Sequence, residues 1–179
     1  MAILSQAMRR FLPLALVLAL LLPVAAWSAS STSGDGTLVV DNGNGSVMVR
    51  ARGGILGRFE TGNMVISDLD LSDGKVPVVY GAETRRTLGP GRTSYSGENV
   101  RFRMIGGLYR VQIDAIGIDV SAVGRGTAVL DATGFTDFPG RYSLDGGPFQ
   151  PLPGHPVTLV LGAPPGPPAT KPPGLPDKK

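Results

Sequence analysis

Carboxylates set just ahead of glycines are the side chains whose types and spacing come nearest to chemistry in this chain. Asp68, Asp70 and Asp73 recur through Asp68-Leu69-Asp70-Leu71-Ser72-Asp73-Gly74. Hard oxygen donors at alternating positions before a glycine turn are what calcium takes. The run is one residue too long for the usual Asp-x-Asp-x-Asp-Gly loop, and no glutamate follows at its twelfth position. A polar strand face ending in an Asp-Gly turn explains it better. Asp41 in Val39-Val40-Asp41-Asn42-Gly43 and Asp131 in Val129-Leu130-Asp131-Ala132-Thr133-Gly134 form a second candidate set, since two carboxylates sharing a proton can activate water. Asn42 stands where that chemistry expects Ser or Thr, and Asp131 reaches its glycine one residue late. Asp at a strand end before a turn needs no catalytic explanation.

Other catalytic readings have less to work with. His155 is the only histidine, held between Gly154 and Pro156, and no Gly-x-Ser-x-Gly signature accompanies it. It reads as a loop residue. Lys75 is the only lysine between Gly36 and Leu161, and Asp73-Gly74-Lys75 reads as a solvated turn rather than the buried amine of a Ser–Lys dyad. With one histidine and no cysteine, a zinc or copper site has no ligand set. No catalytic residue, cofactor or metal is expected, calcium at Asp68, Asp70 and Asp73 being the one metal candidate.

The arginines remain. Arg85, Arg86 and Arg92 lie in a Gly-bounded loop region, Arg101 and Arg103 share one strand face, and Arg50 and Arg52 share another. Guanidinium groups in such patches suit phosphate or carboxylate polymers. Cross-strand pairing with Asp114, Asp119 or Glu98 is the blander expectation. Between Gly36 and Leu161 twelve Lys/Arg face twelve Asp/Glu, so the basic pI comes from the two ends of the chain. A nucleic-acid binder carries a concentrated basic excess, and this stretch carries none.

The ends differ in kind from the middle. Residues 1–28 have the order of a secretory signal: Arg9 and Arg10, an apolar run from Phe11 to Ala26, and small residues around Ala26-Trp27-Ser28. The sixteen-residue run, broken by Pro13 and Pro23, is short for a membrane helix, which needs roughly 20 apolar residues. Cleavage after Ser28 and release to the cell envelope or extracellular space is the expectation, with no stable membrane span afterwards. The alternative is anchoring by an uncleaved signal. Residues 29–35 are a Ser/Gly-rich flexible leader, and residues 162–179 a Pro-rich disordered tail.

Residues 36–161 predict an all-β domain. Their longest stretch free of Gly and Pro is the eleven residues Asn63–Asp73, which leaves helices little room. Val47, Val49 and Ala51, then Val100, Phe102 and Met104, then Tyr109, Val111, Ile113 and Ala115 each alternate with polar neighbours, the mark of half-buried strands. Asn42-Gly43-Asn44-Gly45 predicts a tight hairpin turn. About ten to twelve short strands are expected, in a sandwich or small barrel, with a short β-solenoid as the alternative. A shift of 64 places Val47 on Val111, Val49 on Ile113, Ala51 on Ala115, Gly53 on Gly117 and Gly62 on Gly126. That points to internal duplication. The phrase Gly36–Asp41 also returns as Gly126–Asp131, with Gly62–Ile66 a looser copy.

The expected function is that of an exported, non-catalytic β module of the envelope or extracellular space, binding a polymer or a protein. The alternatives are a secreted carboxylate-dependent hydrolase and a purely structural envelope component.

Overall fold

The structure, a computed structural model, describes residues 34–162. The signal, most of the leader and nearly all of the Pro-rich tail lie outside the described residues. The domain is all-β, in seven strands: β1 (Gly36–Asp68), β2 (Val78–Tyr80), β3 (Thr84–Gly89), β4 (Arg92–Asp131), β5 (Arg141–Leu144), β6 (Gln150–Pro151) and β7 (Val157–Leu161). The runs expected as separate short strands are fused into β1 and β4, which take 33 and 40 residues. Every ladder is antiparallel, which excludes the parallel rungs of a solenoid, and the hydrogen-bonded network has free ends instead of closing as a barrel.

The register shows how two strands build a two-layered, sandwich-like body. Val49 pairs with Val111 on one side and Ala128 on the other. Continuing outward, that row runs Leu159, Ala128, Val49, Val111, Ile66, Thr93, Thr87. It marks layer one, ordered β7, 125–131, 46–52, 108–115, 61–68, 92–97, β3. A second row runs Gln150, Tyr142, Val40, Val120, Gly57, Phe102, Val79 and marks layer two. β1 therefore visits layer two at Val40, layer one at Val49, layer two at Gly57 and layer one at Ile66. Strands that switch sheets at bends or bulges form the corners of such packings.

Glycines stand at the corners. Asn42-Gly43-Asn44-Gly45 is not the hairpin turn its sequence predicts, for β1 runs straight through it. Asn42 takes φ 51° and Gly45 φ 121°, and the register slips between Val40 and Gly45. The Asn44 side chain donates to the Phe138 carbonyl at 2.6 Å, and its Oδ1 accepts the Gly117 amide at 3.0 Å. Positive φ here bends the strand; it does not reverse it. Gly53 and Gly124 form a facing pair at another corner, with φ 151° and 148°. A Cβ on either would come within 2.1–2.2 Å of the other strand's carbonyl oxygen, so only glycine fits.

Both layers turn one face inward onto a single apolar cluster. Leu38, Val40, Val100, Phe102, Met104, Ile118 and Val120 come from layer two, and Val47, Val49, Met64, Ile66, Tyr109, Val111 and Ile113 from layer one. Each such side chain contributes about 1.5–3 kcal/mol on full burial. Phe102, Val111 and Ile113 face in while Arg101 and Gln112 face out, as the alternation predicts.

The 64-residue repeat is real in the topology. Met48 pairs directly with Gln112, its own equivalent at the 64-residue shift, so the two copies lie side by side and antiparallel. The shift carries β1 onto residues 100–132, β2 onto 142–144 within β5, β3 onto 148–153 around β6, and 93–97 onto β7. It also carries the Met64–Tyr95 pair onto Ala128–Leu159 and the Val47–Leu130 pair onto Val111–Ile66. The other phrase, Gly36–Asp41 against Gly126–Asp131, is not structural: the first lies in layer two and the second in layer one. Two extended segments of Gly, Thr and Val converge on one composition without sharing a position.

Candidate functional site: an arginine row on layer one

The carboxylates singled out in the sequence all have local tasks. Asp68 Oδ1 accepts the Asp70 amide at 3.0 Å, and Asp73 Oδ1 accepts the Lys75 amide at 2.8 Å. Asp70 takes the Ser72 hydroxyl at 2.6 Å and Arg52 at 3.2 Å. The Ser72 hydrogen bond first, and Arg52 second, hold its pKa below the usual carboxylate value. Among the described residues no set of three acidic, histidine or cysteine side chains is placed to hold a metal ion. Only Asp73 spans the turn at Gly74 (φ 67°), through its bond to the Lys75 amide.

Asp41 and Asp131 are not brought together as a dyad. Asp41 Oδ2 binds Arg141 Nε at 2.6 Å on the outer side of layer two. Asp131 Oδ1 accepts the Thr133 hydroxyl and, at 2.9 Å, the Thr133 amide. Thr133 and, more weakly, the nearby His155 keep its pKa low. His155 and Lys75 are both exposed.

The arginines divide sharply. Four hold carboxylates: Arg52–Asp70, Arg58–Asp119, Arg125–Asp35 and Arg141–Asp41. Arg50, Arg85, Arg86, Arg92, Arg101, Arg103 and Arg110 have no ion-pair partner among the described residues. Of the acids expected to pair across strands, only Asp119 does so, and its partner is Arg58. Asp114 instead accepts the Gln112 amide at 3.2 Å. Arg85 lies over the Tyr95 ring, 5.8 Å from its centroid.

Three of the seven stand on one line. Across the outer face of layer one the register reads Thr127, Arg50, Arg110, Ser67, Arg92. Arg50 and Arg110 are direct cross-strand neighbours, and Arg110 and Arg92 flank Ser67. With strands ~4.8 Å apart, the three side chains leave the sheet within roughly 15 Å. The adjoining row, Val129, Met48, Gln112, Val65, Ser94, Arg86, contains no acid and adds a fourth cation at the β3 edge. Like charges directly opposite each other destabilise a sheet. A hollow of about 360 Å³ opens between Ser67, Pro90, Arg92, Arg110 and Gln112, and Asp68, whose Oδ1 accepts the Asp70 amide, lines it too.

Layer two presents a different outer face. A shallow hollow of about 460 Å³ is lined by the exposed Val39, Leu56 and Phe149 together with Arg58, Arg101 and Asp119. Arg141 Cζ sits 4.8 Å from the Phe149 centroid while holding Asp41, and Arg58 holds Asp119 at 2.7 Å. Arg101 and Arg103, proposed from sequence together with Arg85, Arg86 and Arg92, are on this face and not on the row. The structure thus splits that set of five over both layers, and Arg85 and Arg86 stand on β3 and Arg92 at the start of β4, not in the loop expected from the flanking glycines. It also adds Arg110, which sequence reasoning missed although it alternates with Tyr109 and Val111. Comparison with known protein families, with curated proteins and with solved structures finds no match for this chain.

Proposed function

We propose that this domain is a non-catalytic module of the cell envelope or extracellular space that holds an anionic polymer along the Arg50–Arg110–Arg92 row. The observation carrying this reading is the Arg50–Arg110 cross-strand pair, two exposed like charges of which neither is ion-paired among the described residues. A chain with equal numbers of acids and bases between Gly36 and Leu161 has carboxylates enough to neutralise that pair. None of them forms an ion pair with either arginine. Phosphate or carboxylate groups spaced along a polymer supply the missing anions, and guanidinium forks bind them in bidentate fashion. Ser67 between Arg110 and Arg92, Thr127 beside Arg50 and Gln112 in the adjoining row add neutral hydrogen-bonding groups. The flat, open row suits an extended chain better than a compact molecule.

Polyphosphate binding measured by calorimetry at low and high ionic strength tests this. The expected result is binding that weakens steeply with salt and falls at least tenfold in Arg50→Ala/Arg110→Ala. No binding at low salt, or equal binding by the double variant, overturns it. The hydrolase reading would instead require Asp41 or Asp131 to act on such a polymer, and the structure commits both carboxylates to other partners.

A further inference from the structure

The repeat exposes an asymmetry at one edge of layer one. Among the described residues β7 has a ladder on one side only, to residues 126–130 of β4. Its counterpart at the 64-residue shift, residues 93–97, pairs on both sides, with β1 and with β3. The segment that answers to β3 is β6, and it pairs with β5 instead. Layer one therefore stops one strand short at β7. The core registers the difference. Tyr95, covered by β3, is 7% exposed, whereas the equivalent Leu159 is only half-buried.

The other sheet edges are guarded in ways that discourage further pairing. β3 carries Arg85 and Arg86, β2 is three residues long, and β6 is two residues ending in Pro151. β7 reads Val157-Thr158-Leu159-Val160-Leu161, without charge, proline or bulge, and Val160 is 58% exposed. We propose that β7 pairs antiparallel with β7 of a second copy of this chain. The sequence following it is a poor cover, because seven of residues 163–179 are proline and proline cannot donate to a ladder. Self-pairing is favoured by the strand's own pattern. Centred on Leu159, it sets Leu159 against Leu159 of the second copy, covering the half-buried side chain. It also sets Thr158 against Val160, both on the outer face, and brings no charges together.

An antiparallel pair has its two-fold axis normal to the sheet, so both arginine rows face the same way on one continuous sheet. One polymer could then span both rows and gain avidity, a consequence resting on the function proposed above. The dimer itself does not rest on it.

Sedimentation of the purified protein without polymer, from about 1 to 200 μM, tests the proposal. The expected result is a concentration-dependent dimer that Val160→Lys weakens at least tenfold and Val160→Thr preserves. Circular dichroism checks that Val160→Lys folds, and Thr158→Lys serves as a second charge on the same edge if it does not. Wild-type protein that stays monomeric throughout, or charged variants that dimerise as wild type does, overturns the proposal.

Discussion

The outer faces of the two layers each carry an arginine opposite an arginine, and they treat it differently. On layer two Arg58 faces Arg101, but Asp119 lies on the other side of Arg58 and binds it at 2.7 Å. On layer one Arg50 faces Arg110, and the neighbours beyond are Thr127 and Ser67. The first arrangement is a charge ladder that satisfies itself around an apolar hollow. The second leaves a local repulsion that an external anion would relieve. Both faces are built by the same two strands over the same core, so the difference lies in the outward residues alone.

The largest effect tests the premise that both faces hang on that shared core. Ile113 pairs with Val47 and Met64 and is buried at the centre of layer one. Ile113→Ala should cost about 2–5 kcal/mol in denaturant unfolding. Gln112→Ala, on the outer side of the same segment, should stay within about 0.5 kcal/mol. Equal costs would mean the register is wrong, and both faces with it.

Next in size is the functional contrast. Arg50→Ala/Arg110→Ala should lower polyphosphate affinity at least tenfold, about 1.4 kcal/mol, while Arg58→Ala/Arg101→Ala should change it by less than about twofold. Losses of the same size from both variants would show diffuse attraction and no site.

A charge reversal sharpens the comparison on stability. Arg50→Glu places a carboxylate opposite Arg110 and should stabilise the fold by roughly 0.2–1 kcal/mol. Arg101→Glu should gain less, because Arg58 already has Asp119. The reverse order in thermal unfolding would remove the idea that layer one alone holds an unrelieved pair.

The smallest effect is confined to alkaline pH and belongs to neither face. Burial first, and then the carboxylates Asp68 and Asp73, raise the pKa of Tyr109. The native fold thus favours the neutral phenol. That contribution is fully present below the ordinary tyrosine value of about 10 and is lost as pH rises through the higher native value. Tyr109→Phe should remove this alkaline loss without altering polymer binding near neutrality. A pH profile of unfolding identical to that of wild type would contradict the assignment.

Much of the fold was legible, and what was not has a physical reason. The alternation at Val47–Ala51, Val100–Met104 and Tyr109–Ala115 named the inward side chains correctly, because burial of one sheet face is written in period two. At Val47, Val49, Ala51 and Gly62 the 64-residue shift named equivalences that the register repeats, whereas Gly53 and Gly117 hold different pairing positions. What failed was the meaning of the glycines. At Asn42–Gly45 a positive φ can end a strand or bend it, and the choice rests with Asp119, Gly117 and Phe138, distant in sequence, whose groups receive or supply the corner's hydrogen bonds. The arginine row was hidden for a related reason. Arg50 and Arg110 are sixty residues apart and meet only through register. Arg101 and Arg103, adjacent to the eye, turn out to share a face with the charge ladder.

Amide chemical-shift mapping during a polyphosphate titration tests the central claim most directly. The changes should concentrate on Arg50, Arg110, Ser67, Arg92 and Gln112. Changes centred on Leu56, Arg101, Arg103 and Phe149, or spread evenly over both layers, would contradict it.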